Sequence, residues 1–173
     1  MKEIIAVAFG LTATALFVFS YQFKTRKTIV LVNGLSRCFY VLQYILLGAW
    51  VGAATDLLAA VITAVALSKK LDAAPKTKWL ILGTLFAMII ASGVLLYQNI
   101  FSLFSIAGVL FELISLLFKK EILVRTLSLI GQPFWLIFNC SCKAWGSVVG
   151  NVIAIISIVF ALVRYHSGKA VKK

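Results

Sequence analysis

Seven apolar stretches, each long enough to cross a lipid bilayer, are separated by connections so short that little chain remains for a soluble domain. A helix needs about 20 apolar residues to span the hydrocarbon core, within a working range of roughly 17–25. Windows lying between charged or turn-like residues meet that length at 4–22, 29–48, 50–68, 79–96, 99–117, 122–140 and 145–164. Composition agrees, because 62% of the 173 residues are apolar and only 13% are charged. A soluble domain carries about a quarter of its residues charged. The apolar excess needs lipid as its solvent. The first segment runs directly into basic residues with no small-residue cleavage site before them, so it is expected to be a retained span and not a signal peptide.

The charge balance then reads as topology. The chain has 17 Lys and Arg against 5 Asp and Glu, a formal net charge of +12. In a soluble protein that balance suggests nucleic acid. No basic-aromatic face or binding motif accompanies it, and no nucleic-acid partner is expected. With the N-terminus placed outside, 14 of the basic residues fall on the cytoplasmic side. They are Lys24, Arg26 and Lys27; Lys69, Lys70, Lys76 and Lys78; Lys119, Lys120 and Arg125; and Arg164, Lys169, Lys172 and Lys173. The outer segments hold only Lys2 and Lys143, and Arg37 lies in or near the second span. Such an excess follows the positive-inside rule and predicts an outer N-terminus and a cytoplasmic C-terminus. Lipid binding by the basic tail is the weaker reading of the same charges.

Sliding the chain against itself by 95 residues superposes Phe9 on Phe104, Ser20 on Ser115, Phe23 on Phe118 and Lys24 on Lys119. It also superposes Phe39 on Phe134, Tyr40 on Trp135, Ala49 on Ala144, Trp50 on Trp145 and Asp56 on Asn151. Coincidence of rare residue types carries more weight here than apolar identities. Spans 1–3 then correspond to spans 5–7, with span 4 as a crossing linker, so both copies run from outside to inside. The expected fold is an all-α membrane protein, a 3+1+3 bundle of parallel repeats about an axis along the membrane normal. Its units are 1–70, a linker helix in 71–97, and 98–173 with a short basic tail.

The stretch "FWLIFNCSCKAWGSVVGNVIAIISIVFALVRY" resembles the second and third helices of a three-helix unit in the SWEET / PQ-loop superfamily of small-solute transporters. That family's binding-site Trp and Asn match Trp135 and Asn151 in type and spacing, with Tyr40 and Asp56 in the equivalent places of the first unit. "FSYQFKTRK" is similar to the end of a unit's first helix, where many members carry Pro-Gln; here Tyr21-Gln22 keeps only the Gln. "SYQFKTRK", "LQYILLGAWVGA" and "WLIFN" look like the YgjV-type family of bacterial inner-membrane proteins. The resemblance implies a multi-pass protein of the bacterial inner membrane that moves a small polar solute, a sugar or a vitamin-like nucleoside, by alternating access. SWEET-type bending uses prolines in the first helix of each unit. Spans 1 and 5 contain none, so Gly10 or Gly108 would have to supply a hinge.

Polar groups within lipid are costly and tend to face the bundle interior. Asp56 and Asn151 each lie six residues past a tryptophan, Trp50 and Trp145, and so at matching depth about 9 Å along their helices. Together they could hydrogen-bond a solute between the repeats, or simply bond helix to helix. Trp135 falls near mid-membrane, where its ring could stack on a sugar or heteroaromatic ring. Trp50 and Trp145 sit at the outer ends, where an aromatic belt is the ordinary explanation. Gln43 and Gln132 lie three residues from Tyr40 and Trp135 on shared faces and complete the candidate substrate-binding set. Asp56 is the member able to exchange a proton, which would couple transport to a proton gradient. Arg37 and Glu112, each deep in its span, could pair with one another in a structural role.

Cys140-Ser141-Cys142 suggests metal or redox chemistry at first sight. A zinc site wants four ligands, whereas Cys38 belongs to the other repeat and His166 is the sole histidine, on the cytoplasmic tail. No metal, cofactor or catalytic residue is expected, and no hydrolase, kinase or protease motif points to an enzyme. The expected partners are membrane lipid and a small solute, with a homo-oligomer left open. A non-transporting receptor or structural membrane protein on the same scaffold is the alternative.

Overall fold

The computed structural model describes residues 2–68, 73–118 and 120–170, the side chains of 116, 117 and 165–170 excepted. Of the basic residues assigned above, Lys69, Lys70, Lys119, Lys172 and Lys173 lie outside the described residues, as do the side chains of His166 and Lys169. The helices are α1 (Lys2–Ser20), α2 (Arg26–Leu47), α3 (Trp50–Leu67), α4 (Pro75–Leu95), α5 (Ser102–Leu117), α6 (Glu121–Ser141) and α7 (Trp145–Ala170). Six of them are long and apolar enough to cross a membrane. The seventh, α5, is apolar but has only 16 residues, about 24 Å at 1.5 Å per residue. The window expected at 99–117 shortens because Asn99 turns the chain first, its Oδ1 accepting from the Phe101 N–H at 3.0 Å.

Local chemistry sets the other ends. Thr25 caps α2 in extended backbone, its side-chain oxygen accepting from the Thr28 N–H, which satisfies one of the orphan donors of a helix start. Pro75 opens α4 at a position where its missing N–H costs nothing. Helix α2 closes on Gly48 at φ 69°, and the next amide, Ala49 N–H, reaches back to the Tyr44 carbonyl at 2.9 Å. Helix α6 closes in the same way on Lys143 at φ 56°, with Ala144 N–H reaching the Asn139 carbonyl at 2.9 Å. Pro133 lies inside α6, where it removes the N–H that the Leu129 carbonyl would otherwise receive.

The helix contacts make a closed circuit. Helix α1 packs on α2, α2 on α3, α3 on α5, α5 on α6, α6 on α7, and α7 back on α1. Helix α4 rests against α3 and α5, and it buries only Leu82, Ile89 and Gly93. Long apolar side chains point outward: Leu95 is 82% exposed and Phe160 is 73% exposed. Polar side chains point inward, among them Arg37, Gln43, Asp56, Glu112, Gln132, Asn139 and Asn151. This inversion is what a lipid solvent selects, since a polar group facing hydrocarbon is left without a partner.

Candidate functional site

The inward polar groups form one continuous hydrogen-bonded chain. Tyr44 on α2 donates to Asn139 Oδ1 on α6 at 2.7 Å. Asn139 Nδ2 donates to Asn151 Oδ1 on α7 at 2.8 Å, and Asn151 Nδ2 donates back to Gln132 Oε1 on α6 at 2.8 Å. Gln132 Nε2 donates to Glu112 Oε1 on α5 at 2.8 Å. Arg37 of α2 joins both carboxylates, through Nη2 to Glu112 Oε2 at 2.5 Å and through Nη1 to Asp56 Oδ1 on α3 at 2.6 Å. Five helices are tied by seven side chains.

Aromatic rings wall this chain. Tyr44 stacks on Trp135 with ring centroids 6.2 Å apart and planes 11° apart, and on Tyr40 at 6.3 Å and 24°. Tyr40 shares a hydrogen bond of 3.2 Å with Thr14 on α1. The Trp135 indole reaches its place because Gly108 has no side chain; a Cβ there would lie 2.8 Å from Cδ1. Gly10 gives the Gln43 amide room in the same manner, so both glycines serve close packing in this conformation. Between rings and polar groups lies a cavity of about 20 Å³, lined by Phe17, Arg37, Tyr40, Tyr44, Asp56, Glu112, Gln132, Trp135, Asn139 and Asn151. That is room for about one water molecule.

Electrostatically the centre is unbalanced. Two carboxylates face one guanidinium, and all three side chains are at most 5% exposed. The Arg37 Nε carries no hydrogen bond among the described residues. The next buried cation, Arg125, lies seven residues before Gln132, about 10 Å along α6, and donates to the Phe23 carbonyl. The arrangement offers a polar guest both donors and acceptors, and two carboxyl groups able to exchange a proton.

Five of the six residues expected at a substrate site, Tyr40, Asp56, Gln132, Trp135 and Asn151, line this one cavity. Gln43 does not. Three residues along a helix turn the face by about 60°, four by about 40° the other way. Tyr44 therefore takes the place beside Tyr40, while Gln43 turns toward α1 and α7 and accepts from Ser147 Oγ at 2.5 Å. Arg37 and Glu112 pair as expected, and Arg37 also holds Asp56. Sequence reasoning passed over Phe17, Tyr44 and Asn139 as lining residues. The available signal for the last two was that the 95-residue offset superposes them on one another. Cys38 and Cys140 are exposed and Cys142 is half-buried, with the Cys142 thiol against the Asn139 carbonyl at 3.6 Å.

No curated protein and no solved structure matches the chain. Residues 4–169 match the family Imp-YgjV, described as a bacterial inner membrane protein. With that match over nearly its whole length, and with helices suited to several crossings, the chain belongs to the Imp-YgjV family and is a multi-pass protein of the bacterial inner membrane.

Proposed function

We propose that this chain is a membrane transporter that moves a small polar solute, a sugar or a vitamin-like nucleoside, by alternating access through the central site. In this reading α1–α3 and α5–α7 are two parallel three-helix repeats joined by α4, with the N-terminus outside and the C-terminus in the cytoplasm. The observation that carries it is the buried polar chain from Tyr44 to Asp56, which lies where the two halves meet. Ionisable groups inside a membrane protein mark a solute or ion pathway by default.

Contacts that recur at one offset support the repeat. The Arg37–Asp56 pair between α2 and α3 has its counterpart, 95 residues on, in the Gln132–Asn151 hydrogen bond between α6 and α7. Ser20 Oγ donates to the Phe17 carbonyl, and Ser115 Oγ donates to the Glu112 carbonyl. Gly48 and Lys143 share a left-handed backbone. The packing circuit is also unchanged when α1–α3 are exchanged with α5–α7. The basic residues near α1–α2, α3–α4 and α5–α6 support the orientation.

A cavity of about 20 Å³ admits a sugar only after the bundle opens, so on this reading the site is closed in the conformation described. The same small cavity favours a second reading, a non-transporting receptor or structural membrane protein whose network simply holds the helices. On neither reading is the chain an enzyme. Uptake of labelled sugars and nucleosides into proteoliposomes of the purified protein separates the two. Time-dependent uptake abolished by Trp135→Ala and by Asn151→Ala supports transport through this site, and uptake indifferent to both removes the site assignment. Absence of uptake for every solute tested favours the second reading. Asp56→Asn transport with unaltered dependence on pH and gradient would count against proton coupling.

A further inference from the structure

A second cavity, of about 410 Å³, opens between the start of α1, the end of α2 and the turn from α6 into α7. Its size falls in the range of roughly 300–1,000 Å³ typical of small-molecule sites, which are mostly apolar with a few placed polar groups. Val7, Leu47 and Trp145 supply apolar wall, while Glu3, Gln43 and Lys143 are its polar members. It lies apart from the central cavity and shares no lining residue with it.

Two independent observations single out its polar members. Gln43 is fully buried, and its Nε2 has no hydrogen-bond partner although its Oε1 accepts from Ser147. An amide donor left unpaired in the interior is destabilising, and a small turn of the Gln43 side chain would offer it to an acceptor on a guest in the cavity that Gln43 lines. Lys143, at the mouth, is the only non-glycine with positive φ among the described residues. The matching helix end uses Gly48, so a lysine is kept where glycine would be unstrained. Backbone strain of this kind collects at binding sites. Neither Glu3 nor Lys143 is in a salt bridge among the described residues.

We infer that this cavity binds a small amphipathic zwitterion. Its oxyanion is met by Lys143 and the free N–H of Gln43, its ammonium by Glu3, and its apolar body by Val7, Leu47 and Trp145. A free amino-acid-like zwitterion and the phosphate–ammonium headgroup of a phospholipid share this chemistry. The inference does not rest on transport, and it is tested by binding alone.

The experiment is native mass spectrometry of the full chain in detergent, titrated separately with leucine and with a short-chain phosphatidylethanolamine. The wild type is expected to retain at least one probe saturably, and which probe it retains identifies the source. Lys143→Gly and Gln43→Met are each expected to weaken that binding at least about tenfold, a change of ~1.4 kcal/mol. Lys143→Gly relaxes the backbone, so loss of binding with an unchanged or raised melting temperature cannot be put down to misfolding. Saturable binding of neither probe, or binding to Lys143→Gly as tight as to the wild type, overturns the inference.

Discussion

Tyr44 on α2 donates its hydroxyl hydrogen to Asn139 on α6 at 2.7 Å, and the two residues are 95 positions apart. The same interval separates Arg37 from Gln132 and Asp56 from Asn151, all members of one buried chain. Tyr44 also carries Tyr40 on one side and Trp135 on the other. It therefore joins the aromatic wall to the polar chain.

Removing the Tyr44 hydroxyl leaves Asn139 Oδ1 without its donor in a dry interior, at a cost of about 1–3 kcal/mol. Tyr44→Phe is expected to melt below the wild type in detergent. Pairing it with Asn139→Leu would not simply restore stability, because Asn151 Oδ1 then loses the Asn139 donor. The double variant should melt lower still.

Arg37 holds two carboxylates, so Arg37→Met leaves both buried and uncompensated. Breaking a buried ion pair from one side costs about 3–5 kcal/mol. Asp56→Asn keeps the Arg37–Glu112 pair and lowers the buried charge count, and its loss should be clearly smaller. Thermal unfolding of the two variants side by side measures the difference. Equal losses would mean that the charges are not coupled as described.

A Cβ on Gly131 would lie 2.9 Å from the Gly108 carbonyl, a backbone atom that cannot swing aside. Gly131→Ala is expected to separate α5 from α6 and to lower stability by about 1–3 kcal/mol, the usual cost of overpacking. Gly83 in α4 has nothing within 4 Å of its Cβ position. Gly83→Ala should instead be neutral or stabilising by up to about 1 kcal/mol.

The two left-handed helix ends predict opposite signs. Gly48 has open space around its Cβ position, so Gly48→Ala meets only the conformational penalty of about 1–2 kcal/mol. Lys143→Gly removes that penalty from a residue already bearing it at φ 56°. Melting temperatures should fall for the first and stay level or rise for the second.

Orientation is open to a labelling test. In a background with Cys38, Cys140 and Cys142 changed to Ser, Lys2→Cys should react with a membrane-impermeant maleimide in intact spheroplasts. Lys78→Cys should react only after lysis. The reverse pattern would invert the topology.

The apolar windows located the helices because a bilayer demands length and hydropathy, both of which are local properties of the chain. Their errors lie at the ends, as at Asn99, where a side chain caps a turn that hydropathy does not register. Tyr40, Asp56, Gln132, Trp135 and Asn151 were legible as residues that gather at the bundle centre, because polar and aromatic groups in lipid have few places to go. Gln43 lies off that central cavity because three residues turn a helix face by about 60°. Sequence spacing alone does not say which of two neighbouring interior spaces receives a side chain on the boundary between them.

The sequence by itself therefore determined a multi-spanning helical membrane protein, several polar residues that must turn inward, and the family to which the chain belongs. Tertiary structure decided the rest. It placed Arg37 between Asp56 and Glu112, seated Tyr44 on Asn139, and closed the central cavity to about 20 Å³ while leaving about 410 Å³ beside Gln43. The physical reason is that burial depends on one helix at a time, whereas ion pairs, stacking and cavity volume depend on how five helices pack together.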